Sequence, residues 1–220
     1  MKEITQNQVY LKKTYTIRLC FMQNGKTGAL KKARAIYDWI VENTYREPKV
    51  KACGLGDVKS ILESGNFCGK CVDIGSLFVA ILMASGIPAR EVFGIRVDES
   101  KISQSLGKTG NVTMAQHCKA EFYVAGYGWV PVDLADVRKI TLEEDLSLKD
   151  EKVKKVREYL FGNWEDNWIA FNHARDFTLN PPQKKTPLNY FMYPYCEIDG
   201  KPLDYFEPKT FSYGIFSTKN

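Results

Sequence analysis

The chain has 220 residues, of which 44% are hydrophobic and 13% aromatic, so it is long enough to bury a core of its own. Its 31 basic and 26 acidic residues leave a net charge of +5, and the two signs are interleaved rather than gathered into basic tracts. This distribution argues against nucleic acid as a partner. No apolar run reaches the roughly 20 residues that a membrane-spanning helix needs. The first residues also lack the apolar stretch of a signal peptide, and the sequence assigns neither a compartment nor an oligomeric state.

We interpret the chain as one compact domain with two extensions. Residues 1–26 form an N-terminal extension, residues 27–140 form the core, and residues 141–220 form a C-terminal extension that packs on the same domain. The last part of this extension, the tail from Pro181 onward, is rich in proline and tyrosine. We expect it to add strands to the edge of the sheet.

The first predicted elements are two helices. Apolar residues recur at helical spacing from Leu30 to Val41, which predicts an amphipathic helix that begins near Thr27. A shorter helix is expected from Asp57 to Glu63, with the Asp57 side chain as its N-terminal cap.

A cysteine then opens the longest apolar pattern of the chain. The pattern predicts a buried helix from Cys71 to Ser85, which Gly86 and Pro88 end. Free backbone N–H groups and the helix dipole favour a thiolate at a helix N-terminus, and they also favour an oxyanion formed after attack on a carbonyl. Cys71 is therefore the first candidate nucleophile. Cys68 is a weaker candidate, because it precedes the helix and lacks the dipole.

The next elements are strands. Residues 89–97 alternate as one strand, and residues 115–137 read as two strands joined by a Gly-Tyr-Gly turn. His117 stands at the start of this hairpin and Asp133 at its end. Because antiparallel neighbours bring such residues side by side, we expect the imidazole and the carboxylate to form a hydrogen bond.

Cys71, His117 and Asp133 have the chemical types and the order of a catalytic triad. On the motifs GKCVDIGSLFVAILMASGIPAR, QHCKAEFY and GWVPVD, the chain resembles the transglutaminase-like superfamily of papain-related proteins over residues 27–137. The resemblance implies an α+β fold in which a central helix headed by the cysteine packs on an antiparallel sheet that carries the histidine and the aspartate. Cys118 and Leu134 stand where such proteins often have an aromatic residue and a proline.

The expected activity is thiol-dependent acyl transfer on an amide bond of a peptide or protein substrate, with no cofactor. Transfer to water makes a protease or amidase, and transfer to an amine makes a transglutaminase. We favour hydrolysis because water is always present and because no calcium-binding loop pattern is seen. A non-catalytic peptide-binding module with the same fold is the alternative from a different functional class.

Further site residues are predicted with alternatives. Asn66 is the preferred side-chain donor to an oxyanion, and Trp39 or Gln116 are its alternatives. Trp129 and Gln116 are candidates for the substrate cleft. Asp136 is the substitute for Asp133 if the strand register differs.

The cysteines allow other interpretations. Cys68 and Cys71, with His117 and Cys118 downstream, match the ligand types of a zinc site, although we expect no metal. Disulfides between Cys53 and Cys118, or between Cys68 and Cys71, are left open.

Overall fold

The structure is a computed structural model that describes residues 28–218. The α-helices of this range are α1 (Ala29–Asn43), α2 (Val58–Ser64), α3 (Cys71–Ala84), α4 (Leu134–Glu143) and α5 (Glu151–Tyr159). The strands are β1 (Tyr45–Arg46), β2 (Cys68–Gly69), β3 (Ala89–Arg96), β4 (Gly110–Asn111), β5 (Gln116–Val124), β6 (Gly128–Val132), β7 (Trp168–Asn172), β8 (Arg175–Phe177), β9 (Leu188–Tyr190), β10 (Glu197–Ile198), β11 (Lys201–Pro202) and β12 (Phe216–Ser217). None of the described helices is long and apolar enough to cross a bilayer.

The chain divides into two compact units. The described part of the first unit comprises residues 28–91 and 118–164, and that of the second comprises residues 92–117 and 165–218. Strands β3 and β5 each have residues in both units, and the four-stranded sheet has the order β6-β5-β3-β7. The extension predicted at residues 1–26 lies outside the described residues, and the boundary predicted at residue 140 stays a prediction.

The core of the first unit forms where α1 and α3 pack together and α3 packs on β5. Tyr37 of α1, Phe78 of α3, Phe122 of β5 and Phe161 are joined by ring contacts with centroids 5.1 to 6.5 Å apart. Such aromatic pairs stabilise the fold beyond their buried area, by about 0.5–1.5 kcal/mol each. Helix α3 is buried from Cys71 to Leu82, in agreement with the apolar residues that the sequence places on nearly all of its sides.

The α+β fold class is confirmed, and the local elements follow their sequence signals. The helix predicted from Cys71 ends at Ala84, the strand predicted over residues 89–97 ends at Arg96, and the hairpin of β5 and β6 forms as predicted. The Asp57 side chain accepts a hydrogen bond from the backbone N–H of Ser60 at 3.1 Å, so it caps α2. These elements form because each carries its own periodicity and its own stop signal.

The second unit is built around the other ends of β3 and β5. One apolar cluster of this unit consists of Ile95, Val112 and Ala115, with Val97 and Ile215 packed against them. Strand β7 pairs antiparallel with β3. This pairing makes β7 an edge strand of the sheet.

The prediction that the tail from Pro181 onward adds strands to the sheet edge is wrong, although β7, earlier in the C-terminal extension, does form that edge. The edge is formed by β7, whereas β8 pairs with β9, β10 with β11, and β12 with β4, each as a separate two-stranded ladder. These strands are two or three residues long; β8 and β10 each pair with the next strand in sequence, whereas β12 pairs with the distant β4. Rings of the tail stack on one another instead, as Tyr193 does on Tyr205 with centroids 4.6 Å apart.

One buried carboxylate joins the start of α3 to the loop before α2. Asp73 accepts backbone N–H hydrogen bonds from Leu55 at 3.0 Å, Gly56 at 2.8 Å and Lys70 at 2.9 Å. Burial raises the pKa of the Asp73 carboxyl above its usual 3.8, and the three N–H groups oppose that rise. The loop is thereby fixed to the helix turn that carries Cys71.

Gly54 makes this close approach possible. Its φ is +93°, a conformation that side chains disfavour, and a Cβ built on it would overlap the Asp73 carboxylate. Gly65 has a φ of +67° but has nothing within 4 Å of a built Cβ. Substitution of Gly65 thus introduces backbone strain alone, whereas substitution of Gly54 introduces both strain and steric overlap.

We predict that Gly54→Ala lowers the free energy of unfolding by about 1–3 kcal/mol more than Gly65→Ala, because only the first substitution forces a methyl group into the Asp73 site. Urea denaturation of both variants measures the difference. Equal losses in the two variants would contradict the role assigned to Gly54.

Candidate active site

Cys71 occupies the first position of α3, directly after the N-cap residue Lys70. It is buried, with 3% of its surface exposed. The next backbone N–H, that of Val72, donates to the carbonyl of Cys53 at 2.9 Å, which fixes the first helical turn to the preceding loop. A sulfur in this position lies at the positive end of the helix dipole. The location predicted from the sequence is therefore the location observed.

A second thiol lies against Cys71. The Sγ atom of Cys118 is 3.7 Å from the point where a Cβ would stand on Gly75, one helical turn beyond Cys71. Burial, and next a hydrogen bond with Cys71, raise the pKa of the Cys118 thiol well above its ordinary value. Cys118 is therefore held as a neutral S–H group, which is able to donate to a thiolate at Cys71.

The two cysteines of the C-G-K-C pattern have different neighbours. Cys68 contacts the phenol of Tyr45 and its hydrogen bond raises the pKa of that phenol, whereas Cys71 contacts Cys118. Among the described residues, Cys53, Cys68, Cys71, Cys118 and Cys196 are all free thiols. These contacts therefore give no support to a zinc site or a disulfide that would join Cys68 to Cys71.

Asp133 follows β6 and caps α4. Its Oδ1 atom accepts a hydrogen bond from the backbone N–H of Asp136 at 3.0 Å, and its own N–H donates to the carbonyl of Leu160 at 3.0 Å. Only 2% of the residue is exposed. Burial, and next the charge of Asp133, raise the pKa of the Tyr37 phenol well above its ordinary range. The carboxylate is therefore held in a fixed orientation by the start of the helix that follows it.

His117 lies in the second unit, at the start of β5, and is 3% exposed. Its carbonyl accepts a hydrogen bond from the indole N–H of Trp168 at 2.9 Å. The Trp168 ring lies across β3 at Gly94, where any Cβ would overlap it. The backbone that carries the imidazole is thus held by an aromatic residue of β7.

The remaining candidates have partners of other kinds. Gln116 is buried, and burial raises the pKa of the Tyr213 phenol while an interaction with the Gln116 side chain lowers it. Asn66 is exposed, and its Oδ1 accepts a hydrogen bond from the Tyr45 hydroxyl. Trp129 is partly exposed beneath the Arg90 guanidinium, which lies 4.0 Å from the ring centroid. The oxyanion and cleft roles of these three residues stay predictions.

Sequence reasoning missed three residues that support the candidates. Asp73 stands at the third position of α3, where an acidic residue is a known signal of N-terminal capping. Its capping role could therefore have been predicted from the sequence. Cys118 and Trp168 gave no such signal, because their contacts with Cys71 and with His117 join distant parts of the chain.

Comparisons with known proteins place the chain among relatives. A model of the transglutaminase-like superfamily matches residues 19–134. An uncharacterized protein of Haemophilus influenzae is 51% identical over 204 residues, and the match covers 88% of this chain and 55% of that protein. The chain therefore spans just over half of the length of this relative.

Two solved structures are also similar. A putative cysteine protease from Cytophaga hutchinsonii has 22% identity and a TM-score of 0.41, over 62% of this chain and 39% of that one. A putative protease from Parabacteroides distasonis has 18% identity and a TM-score of 0.35, over 59% of this chain and 27% of that one. Because the family model covers more than half of the residues, the chain belongs to the transglutaminase-like superfamily.

Proposed function

We propose that this protein is a thiol-dependent acyl-transfer enzyme that hydrolyses amide bonds, with Cys71 as nucleophile, His117 as general base and acid, and Asp133 as the group that orients the imidazole. The observation that carries the proposal is the position of Cys71 at the first residue of a buried helix, in contact with a neutral thiol. Membership of the superfamily supports it.

The proposed reaction has two stages. The Cys71 thiolate attacks the carbonyl carbon of the amide, so a C–S bond forms and the carbonyl electrons move to oxygen. The backbone N–H of Cys71 and the predicted second donor, Asn66, stabilise that oxyanion. The C–N bond then breaks as His117 protonates the leaving amine, and a thioester remains. His117 takes a proton from water as the water oxygen attacks the thioester carbonyl, and the C–S bond then breaks, which releases the acid and restores the Cys71 thiolate.

The local charges act on the thiolate in opposite directions. The negative Asp73 carboxylate lies in the same helical turn, and its pKa is raised first by burial and, to a smaller extent, by the charge of Cys71. This repulsion disfavours a thiolate. The dipole of α3 and a hydrogen bond from the Cys118 thiol favour the charged form. We therefore propose that His117 supplies the remaining stabilisation as an imidazolium, as in other cysteine nucleophiles.

We predict that substoichiometric iodoacetamide at about pH 6 modifies Cys71 selectively, because an ordinary thiol with a pKa of about 8.5 is almost wholly protonated there. Peptide mapping measures the distribution. Cys118 should stay unmodified because its pKa is raised, and the partly exposed Cys68 and Cys196 serve as internal references. Selectivity should be lost in His117→Ala. Faster labelling of Cys196 than of Cys71 would remove the basis for the proposal.

We predict that the acyl acceptor is water. Denatured casein incubated with the protein in ¹⁸O-enriched water containing dansylcadaverine should yield peptides with ¹⁸O in new carboxylates and no dansyl label, and mass spectrometry detects both. Cys71→Ala is the control and should yield neither product. Dansylated glutamines would instead indicate amine transfer, and identical results for the native protein and for Cys71→Ala would favour the peptide-binding module.

We predict that Asp133→Asn lowers kcat/KM about 100-fold or more, because an amide cannot hold the imidazole in the required state. Asparagine caps helices as well as aspartate does, so this variant should keep nearly the native free energy of unfolding, whereas Asp133→Ala should lose about 1 kcal/mol. Activity assays and urea denaturation separate the two effects. Native activity in Asp133→Asn would leave this residue as a helix cap only.

A further inference from the structure

The first unit contains a surface cavity of about 330 Å³ among β1, α4 and the loop between α4 and α5. This volume is at the lower end of the range typical of small-molecule sites, about 300–1,000 Å³. None of the residues proposed for catalysis lines it. A ligand here would therefore bind independently of Cys71.

Two arginines line the cavity, Arg46 of β1 and Arg138 of α4. The Nε atom of Arg138 is buried and has no hydrogen-bond partner within residues 28–218. Burial lowers the pKa of Arg138, and no acidic neighbour opposes that effect. The ion pairs found in the described part of the chain include neither arginine. Neither guanidinium is therefore paired with a carboxylate in the described part of the chain, and the unpartnered Nε atom of Arg138 disfavours the empty state.

The hydroxyl groups of the lining already have partners. The Thr141 hydroxyl donates to the carbonyl of Arg138 at 2.8 Å, and the Ser147 hydroxyl donates to Asp150 at 2.6 Å. The Tyr45 hydroxyl donates to Asn66. The guanidinium groups are therefore the donors that remain for a ligand.

The rest of the lining is apolar. Leu142, Leu146 and Leu148 contribute three aliphatic side chains, of which Leu142 is 45% exposed. A strongly hydrated dianion such as phosphate would lose much of its hydration against such a wall, whereas a carboxylate carried on an aliphatic group would bury apolar surface there.

We propose that this cavity binds a carboxylate attached to a short aliphatic group, with Arg46 and Arg138 holding the carboxylate and the three leucines covering the aliphatic part. Guanidinium groups suit a carboxylate because they donate two parallel hydrogen bonds. The same chemistry occurs in a free branched-chain acid and in the last residue of a peptide. The two sources differ only in the acylated amine beside the carboxylate.

The test is calorimetric titration of the full chain with 4-methylpentanoate, N-acetyl-leucine, N-acetyl-leucinamide and inorganic phosphate. The two carboxylates should bind, and the uncharged amide should not. Tighter binding of N-acetyl-leucine would identify a peptide C-terminus as the source, and tighter binding of 4-methylpentanoate would identify a free acid; either supports the proposal. Binding of the amide as tight as that of the acid, binding of phosphate alone, or no binding of either carboxylate would overturn it.

Variants separate the site from general effects of charge. Arg138→Met should weaken carboxylate binding at least about tenfold, the usual effect of losing a charge-assisted hydrogen bond. It should also raise the Tm of the ligand-free protein, because it removes a partly buried charge whose Nε atom has no hydrogen-bond acceptor within residues 28–218. The exposed Lys155→Gln, which loses the same charge elsewhere, should change neither property. Cys71→Ser should bind as the native chain does, so failure of the proposed catalysis would not affect this result. Unchanged affinity in Arg138→Met would contradict the assignment.

Discussion

The carboxylate of Asp73 is the constraint on which the rest of the candidate site depends. A single side chain receives backbone N–H groups from the loop before α2 and from the residue before Cys71. The three hydrogen bonds do not cancel the cost of burial, since the pKa of the group remains raised. The chain therefore keeps a charge that burial disfavours, because without it the backbone N–H groups of Leu55, Gly56 and Lys70 would lose their acceptor.

This constraint also affects the proposed chemistry. A carboxylate two residues after the nucleophile opposes the charge that a thiolate needs, so the group that fixes the backbone of Cys71 works against its activation. Cys118 acts in the other direction. A phenylalanine at that position could not donate a hydrogen bond to sulfur, whereas a small buried thiol can do so and still lie against Gly75. The departure from the usual family pattern is thus consistent with the surroundings that Asp73 creates.

The sequence predicts those parts of the fold and site that local patterns specify. The length of α3, the hairpin of β5 and β6, and the cap at Asp57 each follow from apolar periodicity or from one side chain and its near neighbours. The contact of Cys118 with Cys71 and the position of Trp168 over Gly94 depend on pairings between distant segments, which no local pattern specifies. The tail shows the same limit, because its aromatic and proline content indicated strands but not the partners with which they pair.

Comparison of buried Asp73 with partly buried Arg138, whose Nε atom is buried, separates structural from functional roles. Asp73 and Arg138 are both shifted by burial toward their neutral forms. The carboxylate has three hydrogen-bond donors around it, whereas the Nε atom of the guanidinium has no acceptor in the described part of the chain and lines a cavity. A charge satisfied from within the fold contributes to the architecture and needs nothing further. A charge left without an acceptor at a cavity lowers stability until an anion binds, so its retention is better explained by binding than by folding.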